Sequence, residues 1–263
     1  MKLYRYISWG KEQWQWFCLT LTFLTRCPVP IHGEVTPQAL ARCHRWFALS
    51  GALIGLGLAL VYGLAAAVLP VPAAVLVTLI ASLCLTGALH EDGLADCVDG
   101  LGGGRNLDER LAIMKDSRVG SYGVLALIAS VLGRFVLLNA LGALAVELVV
   151  AALITAHSAS RATAALLMGA LPYLRREGPS KVLSLTGEQR ASDRCWLVGV
   201  ALGLMLMLAG ATLGLVLAAG AVSLGVALWY WFRRRLGGVT GDALGAAQQI
   251  SELGLYLLWG ALV

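Results

Sequence analysis

The chain alternates long apolar stretches with short polar segments, and seven stretches approach the length of a membrane-spanning helix. Such a helix needs about 20 predominantly apolar residues. Pro70 and Pro72 separate the first two stretches, and Gly210 and Gly214 offer a turn within the run 195–232. The pattern therefore predicts an all-α polytopic membrane bundle of about seven transmembrane helices. The stretches are 46–69, 72–89, 120–140, 143–166, 195–212, 213–232 and 243–262.

The first 45 residues follow a different pattern. Trp9, Trp14 and Trp16 lie close to Lys11, which is typical of an amphipathic helix at the membrane surface. We therefore expect residues 1–45 to form a cytoplasmic or interfacial segment. The whole chain, residues 1–263, is predicted to be a single integral membrane domain.

Composition excludes most soluble classes of protein. Of the 263 residues, 59% are hydrophobic and 13% are charged, and the mean hydropathy is +0.77. Soluble domains are nearer half apolar and a quarter charged. The net charge of +5 is explained by the loops of a membrane protein and does not indicate nucleic-acid binding. The lipid bilayer is the expected partner, and a homo-oligomer is compatible with the sequence.

Basic residues predict the orientation. All but two of the 20 Lys and Arg lie in the N-terminal segment or in 90–118, 171–194 and 233–235. These segments share one side of the membrane if the spans alternate, and the positive-inside rule makes that side cytoplasmic. We therefore expect a multi-pass protein with Val263 on the opposite side. The two exceptions, Arg134 and Arg161, lie within spans.

An acidic cluster follows the second apolar stretch. Asp92, Asp96 and Asp99 are spaced i, i+4 and i+7. If the helix of the second span continues through them, the carboxylates share one face. Their mutual repulsion favours a bound cation, and oxygen ligands suit Mg²⁺, Mn²⁺ or Ca²⁺ better than zinc. The alternative is a solvated acidic loop. The neighbouring His90 is either a ligand, an acid or base, or an interfacial residue.

Two further segments contain charged residues or glycines near predicted membrane boundaries. Lys115, Asp116 and Arg118 precede the third span and place two cations near the acidic cluster, as a pyrophosphate substrate requires. Ordinary snorkelling at a helix end is the alternative. The segment 237–242 can hold phosphate oxygens at the start of the last helix. The residues predicted to do so there are Gly237, Gly238, Thr240 and Asp242.

Polar residues and paired glycines also occur inside the spans. Polar groups at that depth usually face the interior of the bundle and are often functional. The glycine pairs Gly51/Gly55 and Gly199/Gly203 predict close helix packing. The polar residues are Arg134, His157, Ser158, Ser160, Arg161, Gln248, Gln249, Ser251 and Glu252.

Carboxylates, cations and glycine loops at one membrane face fit metal-assisted phosphoryl or nucleotidyl transfer. Two other classes remain open from the residues alone. One is a CDP-alcohol phosphotransferase that makes a phospholipid head group; the chain has Asp92-Gly93 but lacks the Ala-Arg element of that signature. The other is a cation-coupled transporter, which predicts counter-charges deep in several spans.

Four sequence blocks, 23–30, 90–100, 114–120 and 237–242, resemble the cobalamin synthase family, the adenosylcobinamide-GDP ribazoletransferases. The resemblance implies a Mg²⁺-dependent enzyme of the bacterial inner membrane. Its substrates are adenosylcobinamide-GDP and α-ribazole or α-ribazole 5'-phosphate. Its products are GMP and adenosylcobalamin or its 5'-phosphate, in the last step of nucleotide loop assembly.

Roles follow from the resemblance as hypotheses. Asp92, Asp96, Asp99 and Asp116 are expected to hold one or two Mg²⁺ ions, and one of these carboxylates or His90 to accept the proton of the attacking hydroxyl. Lys115 and Arg118 are expected to neutralise charge on the leaving GMP. Arg26 of the first block joins Gly237, Gly238, Thr240 and Asp242 as a predicted substrate- or phosphate-binding residue. The segment 90–118 is thus the expected catalytic loop.

Overall fold

The computed structural model describes residues 2–31, 33–174 and 189–263, with side chains from residue 10 onward. It is built of helices, and within these ranges the only β pairing is an isolated bridge between Tyr173 and Val239. The predicted all-α class is confirmed. Arg175, Arg176 and Lys181, which contributed to the predicted orientation, lie outside the described residues. The helices are α1 (Lys2–Leu24), α2 (Pro37–Arg42), a 3-10 turn (Cys43–Trp46), α3 (Phe47–Ala66), α4 (Val71–Thr86), α5 (Leu89–Gly103), α6 (Leu107–Ile113), α7 (Ser121–Leu144), α8 (Val146–Ala170), α9 (Ala191–Arg235) and α10 (Gly241–Leu262).

Fewer helices qualify as membrane spans than the sequence predicts. Among the described residues, four are long and apolar enough, and the bent pair α4 and α5 makes a fifth. The segment Pro37–Ala66, α7, α8 and α9 are the four. The difference from seven has two causes: α9 contains two of the predicted stretches, and the buried polar residues of α10 lower its hydropathy.

Helix α9 reverses direction at Gly210, where φ is +77°. A Cβ atom on Gly214 would lie 2.7 Å from the carbonyl oxygen of Met205. In a continuous helix these residues would be about 13 Å apart, since each residue adds about 1.5 Å. The predicted stretches 195–212 and 213–232 are therefore the two arms of a hairpin, as the expected glycine turn requires.

The expectation that the second span continues through the acidic residues is wrong. Helix α4 ends at Thr86, and α5 leaves at an angle of 86°. Gly87 and Ala88 form the corner, with φ values of +62° and +54°. The side chain of Arg26 packs over Gly87 and occupies the place where a Cβ atom would be. The acidic residues nevertheless lie on one helix, α5, so their predicted helical spacing holds.

Helix α8 lies at the centre of the bundle, between α3, α9 and α10. A Cβ atom on Gly55 of α3 would lie 2.6 Å from the carbonyl oxygen of Leu153, and one on Gly51 would overlap the backbone of His157. The predicted close packing at this glycine pair is confirmed. The same prediction for Gly199 and Gly203 is wrong, because a Cβ atom at either position would meet open space.

Candidate active site

Helices α5 and α10 meet at two glycines. A Cβ atom on Gly93 would lie 3.1 Å from the Cα atom of Asp242, and one on Gly245 would lie 3.2 Å from the Cα atom of Gly93. Such backbone contact is possible because neither residue has a side chain. The crossing places Asp92, adjacent to Gly93, close to Asp242.

A cavity opens beside this crossing, between α5, α8 and α10. Asp92 is exposed in it, whereas His90 and Arg161 are buried in its wall, with exposed fractions of 7% and 1% respectively. Three predicted site residues, His90, Asp92 and Asp242, therefore come together, and Arg161 joins them from a transmembrane helix. The polar or glycine lining is His90, Asp92, Gly93, Arg161, Gly241, Asp242 and Gly245, and Phe23, Leu24, Phe47, Leu89, Ala164, Met168 and Leu244 complete it.

The other two aspartates of α5 have different surroundings. Asp96 is half-buried one turn beyond Asp92, and it and Asp242 both interact electrostatically with Cys97. Asp99 is buried, and its two carboxylate oxygens accept hydrogen bonds from the backbone N–H groups of Gly120 and Gly123, at 2.7 and 2.8 Å. A carboxylate at the start of a helix satisfies its free N–H groups and its dipole. Asp99 thus caps α7 from the neighbouring helix.

Lys115, Asp116 and Arg118 do not line the cavity. Asp116 and Arg118 form an ion pair at 2.6 Å, and the guanidinium lowers the pKa of Asp116 to about 2. Asp116 is therefore ionised at any physiological pH. Lys115 and Arg118 are exposed. Their expected action on the leaving group stays a prediction.

The segment 237–242 has a clear structural role. The hydroxyl of Thr240 accepts a hydrogen bond from the backbone N–H of Ala243 and caps α10. Gly238 packs against the Pro172 carbonyl, and the N–H of Val239 donates to that oxygen at 2.9 Å. Phosphate binding by Gly237, Gly238 and Thr240 stays a prediction.

Arg26, the remaining predicted phosphate ligand, lies at the α4–α5 corner rather than in the cavity wall. Its backbone N–H donates to the carbonyl of Leu85 at 2.7 Å. Its side chain, exposed to solvent, packs over Gly87. Arg26 therefore helps to hold the corner from which α5 starts, and phosphate binding by its guanidinium stays a prediction.

A buried polar network lies behind the cavity. Arg134 Nη1 lies 3.0 Å from Glu91 Oε1 and 3.7 Å from Glu252 Oε1. His157 Nδ1 lies 3.4 Å from Glu252 Oε2, to which Gln248 donates at 2.6 Å. The prediction that the polar residues in the spans face the interior is confirmed for this network. Sequence analysis missed Glu91, which belongs to the network although it lies in the acidic segment. The members are Glu91, Arg134, His157, Arg161, Gln248, Gln249 and Glu252.

The donor set of the cavity fits magnesium. In the described part of the chain no three His, Cys, Asp or Glu side chains are arranged to hold a metal ion. Magnesium is usually held by one or two carboxylates, with substrate phosphates and water completing its shell. Asp92 and Asp242 provide such carboxylates in one cavity.

Comparison with known proteins assigns the family. The model of the cobalamin-5-phosphate synthase family matches residues 16–260. The chain belongs to this family. Proteins from Shewanella woodyi and Vibrio vulnificus, each called adenosylcobinamide-GDP ribazoletransferase, are both 42% identical to the chain; the first match covers 94% of this chain and 96% of the relative, the second 95% and 97%. A Vibrio cholerae protein of the same name is 41% identical over 94% of both chains. No solved structure matches the chain.

The assignment confirms the family predicted from the sequence and the predicted enzyme class, a transferase. It favours a ribazoletransferase over both the CDP-alcohol phosphotransferase and the cation-coupled transporter. The apolar helices are those of a multi-pass membrane protein.

Proposed function

We propose that the chain joins adenosylcobinamide-GDP to α-ribazole, or to its 5'-phosphate, and releases GMP. The product is adenosylcobalamin or its 5'-phosphate, with the lower nucleotide loop complete. Membership of the cobalamin-5-phosphate synthase family supports this proposal, as do the names of the relatives. The structural observation that carries it is the cavity in which Asp92 of α5 and Asp242 of α10 lie together.

Asp92 and Asp242 are the residues proposed to hold Mg²⁺, with Asp96 one turn away on α5. When bound, the ion supplies positive charge to the diphosphate of the donor substrate. Asp99 and Asp116, which the sequence also suggested as ligands, are left out of this set. The oxygens of Asp99 are used by backbone N–H groups, and Asp116 is paired with Arg118.

The transfer itself is a displacement at phosphorus. The 3'-oxygen of the ribazole bonds to the phosphorus next to cobinamide, and the bond from that phosphorus to the bridging oxygen breaks. GMP leaves with the bonding electron pair. The hydroxyl proton passes to Asp92, the exposed carboxylate of the cavity wall. His90 is buried in the same wall as Arg161, so a positive charge on its imidazole is unfavourable and it is not the proposed acceptor.

The proposed location is the bacterial inner membrane, with the cavity open to the cytoplasm. The distribution of basic residues supports this orientation: the 90–118 segment, which contains α5 and α6, and the three arginines at the end of α9 all belong to the basic side. Nucleotide substrates are cytoplasmic, so the orientation agrees with the proposed chemistry.

The test is turnover by the purified full chain in lipid nanodiscs. Adenosylcobinamide-GDP and α-ribazole are supplied with Mg²⁺, and the release of GMP and formation of the corrinoid product are followed by chromatography. We expect equal amounts of the two products. Absence of GMP release, or its release without a new corrinoid, would overturn the proposed reaction. A CDP-alcohol with a diacylglycerol serves as the competing substrate pair and should not react.

A further inference from the structure

We propose that Arg161 of α8 binds the diphosphate of the donor substrate from the buried side of the cavity. This inference rests on the proposed function for the identity of the donor. It assigns a substrate-binding role to a residue inside a transmembrane helix, far in sequence from the acidic motif.

The position of Arg161 is the first argument. Its side chain is 1% exposed, yet it forms part of the cavity wall with Asp92 and Asp242. The close contact between α3 and α8 fixes this position, because a Cβ atom on Gly51 would come within 3.0 Å of Arg161 Cδ. Arg161 is therefore a buried part of the wall of a cavity in which Asp92 is exposed.

Unused hydrogen-bonding capacity is the second argument. A guanidinium has five N–H donors. The hydrogen bonds of Arg161 in the described structure all involve Nη1, which contacts His157 Nδ1 at 2.8 Å and the His157 carbonyl at 3.2 Å. The buried Nε atom has no partner. An unsatisfied charged donor is costly to bury, so its retention in a cavity wall points to a ligand that supplies acceptors.

The charge distribution in the network leads to the same conclusion. Glu91 and Glu252 balance the two arginines in number, but both lie closer to Arg134, at 3.0 and 3.7 Å. Glu252 reaches Arg161 only at 4.0 Å. Arg134 also has an unpartnered Nε, but it does not line the cavity. Arg161 is thus the less well paired cation and the one that an incoming anion can reach.

A diphosphate suits this site chemically. Its oxygens accept two parallel hydrogen bonds from the fork of a guanidinium, which the compact ammonium of lysine cannot supply. The carboxylates of Asp92 and Asp242 repel a diphosphate unless Mg²⁺ lies between the carboxylates and the phosphate oxygens. Arg161 on one side and the ion on the other would then hold the diphosphate, so that the attacked phosphorus faces the open part of the cavity.

The test measures donor binding in the absence of the acceptor, so that no turnover is needed. The wild-type chain, Arg161→Lys and Arg161→Gln are placed in nanodiscs with Mg²⁺. Equilibrium dialysis gives the affinity for four ligands, each measured alone: adenosylcobinamide-GDP, adenosylcobinamide without the diphosphate, inorganic pyrophosphate and α-ribazole 5'-phosphate. We expect both variants to bind the two diphosphate ligands at least tenfold more weakly. Binding of adenosylcobinamide and of α-ribazole 5'-phosphate should stay within threefold of wild type.

Arg134→Lys is the matched control, since it makes the same exchange in the same network but outside the cavity wall. It should lower the melting temperature while keeping donor affinity within threefold. The inference is overturned if Arg161→Lys binds the donor as wild type does, if it loses only affinity for α-ribazole 5'-phosphate, or if Arg134→Lys loses as much donor affinity. Pyrophosphate separates the two proposals: weaker pyrophosphate binding in both Arg161 variants, with no donor binding by wild type, would keep the diphosphate site and reject the proposed donor.

Discussion

Glu91 and Asp92 are adjacent in the chain, but their side chains serve opposite sides of α5. Glu91 is 5% exposed and pairs with Arg134 in the interior of the bundle, at 3.0 Å. Asp92 is exposed and lines the cavity. One acidic residue therefore attaches the helix to the bundle, and the next is available for chemistry.

Asp92→Asn should lower the rate of GMP release about 100-fold or more, because a group that balances charge in the transition state contributes on that scale. The melting temperature should stay within 2–3 °C of wild type, since an exposed acid is removed from an acidic face. Asp108→Ala is the control: Asp108 is exposed on α6, outside the cavity, and its removal should leave the rate within a few-fold. Equal losses at the two positions would contradict the special role of Asp92.

Asp99→Ala should act mainly on stability. It removes the acceptor for two N–H groups at the start of α7, and losing a helix cap typically costs about 1 kcal/mol. Asp99→Asn, which keeps one acceptor oxygen, should lose less. Thermal unfolding in nanodiscs measures the effect, and the rate per folded molecule should fall far less than in Asp92→Asn. A variant that is fully stable but inactive would instead support the metal-ligand role suggested by the sequence.

Glu91→Gln should destabilise the fold by about 3 kcal/mol, because it leaves Arg134 with a weaker partner in a buried site. Glu147 is an exposed acid in the first turn of α8, and Glu147→Gln should change the free energy of unfolding by about 1 kcal/mol or less. The double variant Glu91→Gln/Arg134→Met should recover part of the loss, since the unpaired charge is gone. Unfolding in graded denaturant gives the three values; a double variant less stable than the single would argue against the ion pair.

Removal of divalent ions should abolish turnover. The cavity places carboxylates where a diphosphate must bind, and only a cation between them relieves the repulsion. We expect EDTA to stop GMP release and added Mg²⁺ to restore it. The concentration of Mg²⁺ needed for half activity should rise in Asp242→Asn. Undiminished turnover in EDTA would refute the magnesium proposal.

The orientation can be tested with single cysteines in a background whose native cysteines are replaced by serine. Arg105→Cys, between α5 and α6, should react with an impermeant maleimide only after the cells are opened. Glu147→Cys, at the turn between α7 and α8, should react in intact spheroplasts. Both positions are exposed, so burial does not confound the comparison. The reverse pattern would place the cavity on the outer side.

The acidic face could be predicted from the sequence because it depends on spacing along one helix. The corner that starts this helix could not, since it involves no proline and depends on the packing of Arg26 over Gly87. The capping role of Asp99 could not be predicted either, because its hydrogen-bond partners Gly120 and Gly123 lie at the start of another helix.

The position of Arg161 in the site is a further feature that could not be predicted from the sequence. The sequence shows an arginine inside a span, four residues after His157, and this predicts an inward position. Its place in the wall shared with Asp92 depends on how α5, α8 and α10 pack together. The hairpin in α9, in contrast, was predictable, because a run of 38 apolar residues is too long for one crossing and contains its own glycine turn.

The backbone contact between Gly93 and Gly245 has a consequence for how this protein can vary. Where two helices are separated by interdigitated side chains, every exchange in that layer shifts one helix relative to the other. Where α5 crosses α10, main-chain atoms are in direct contact and set the distance between the helices. The separation of Asp92 and Asp242 therefore does not depend on the volume of any side chain at the crossing. Substitutions in the surrounding apolar core can therefore accumulate without changing the distance between Asp92 and Asp242. Added side-chain volume at Gly93 or Gly245 would change this distance.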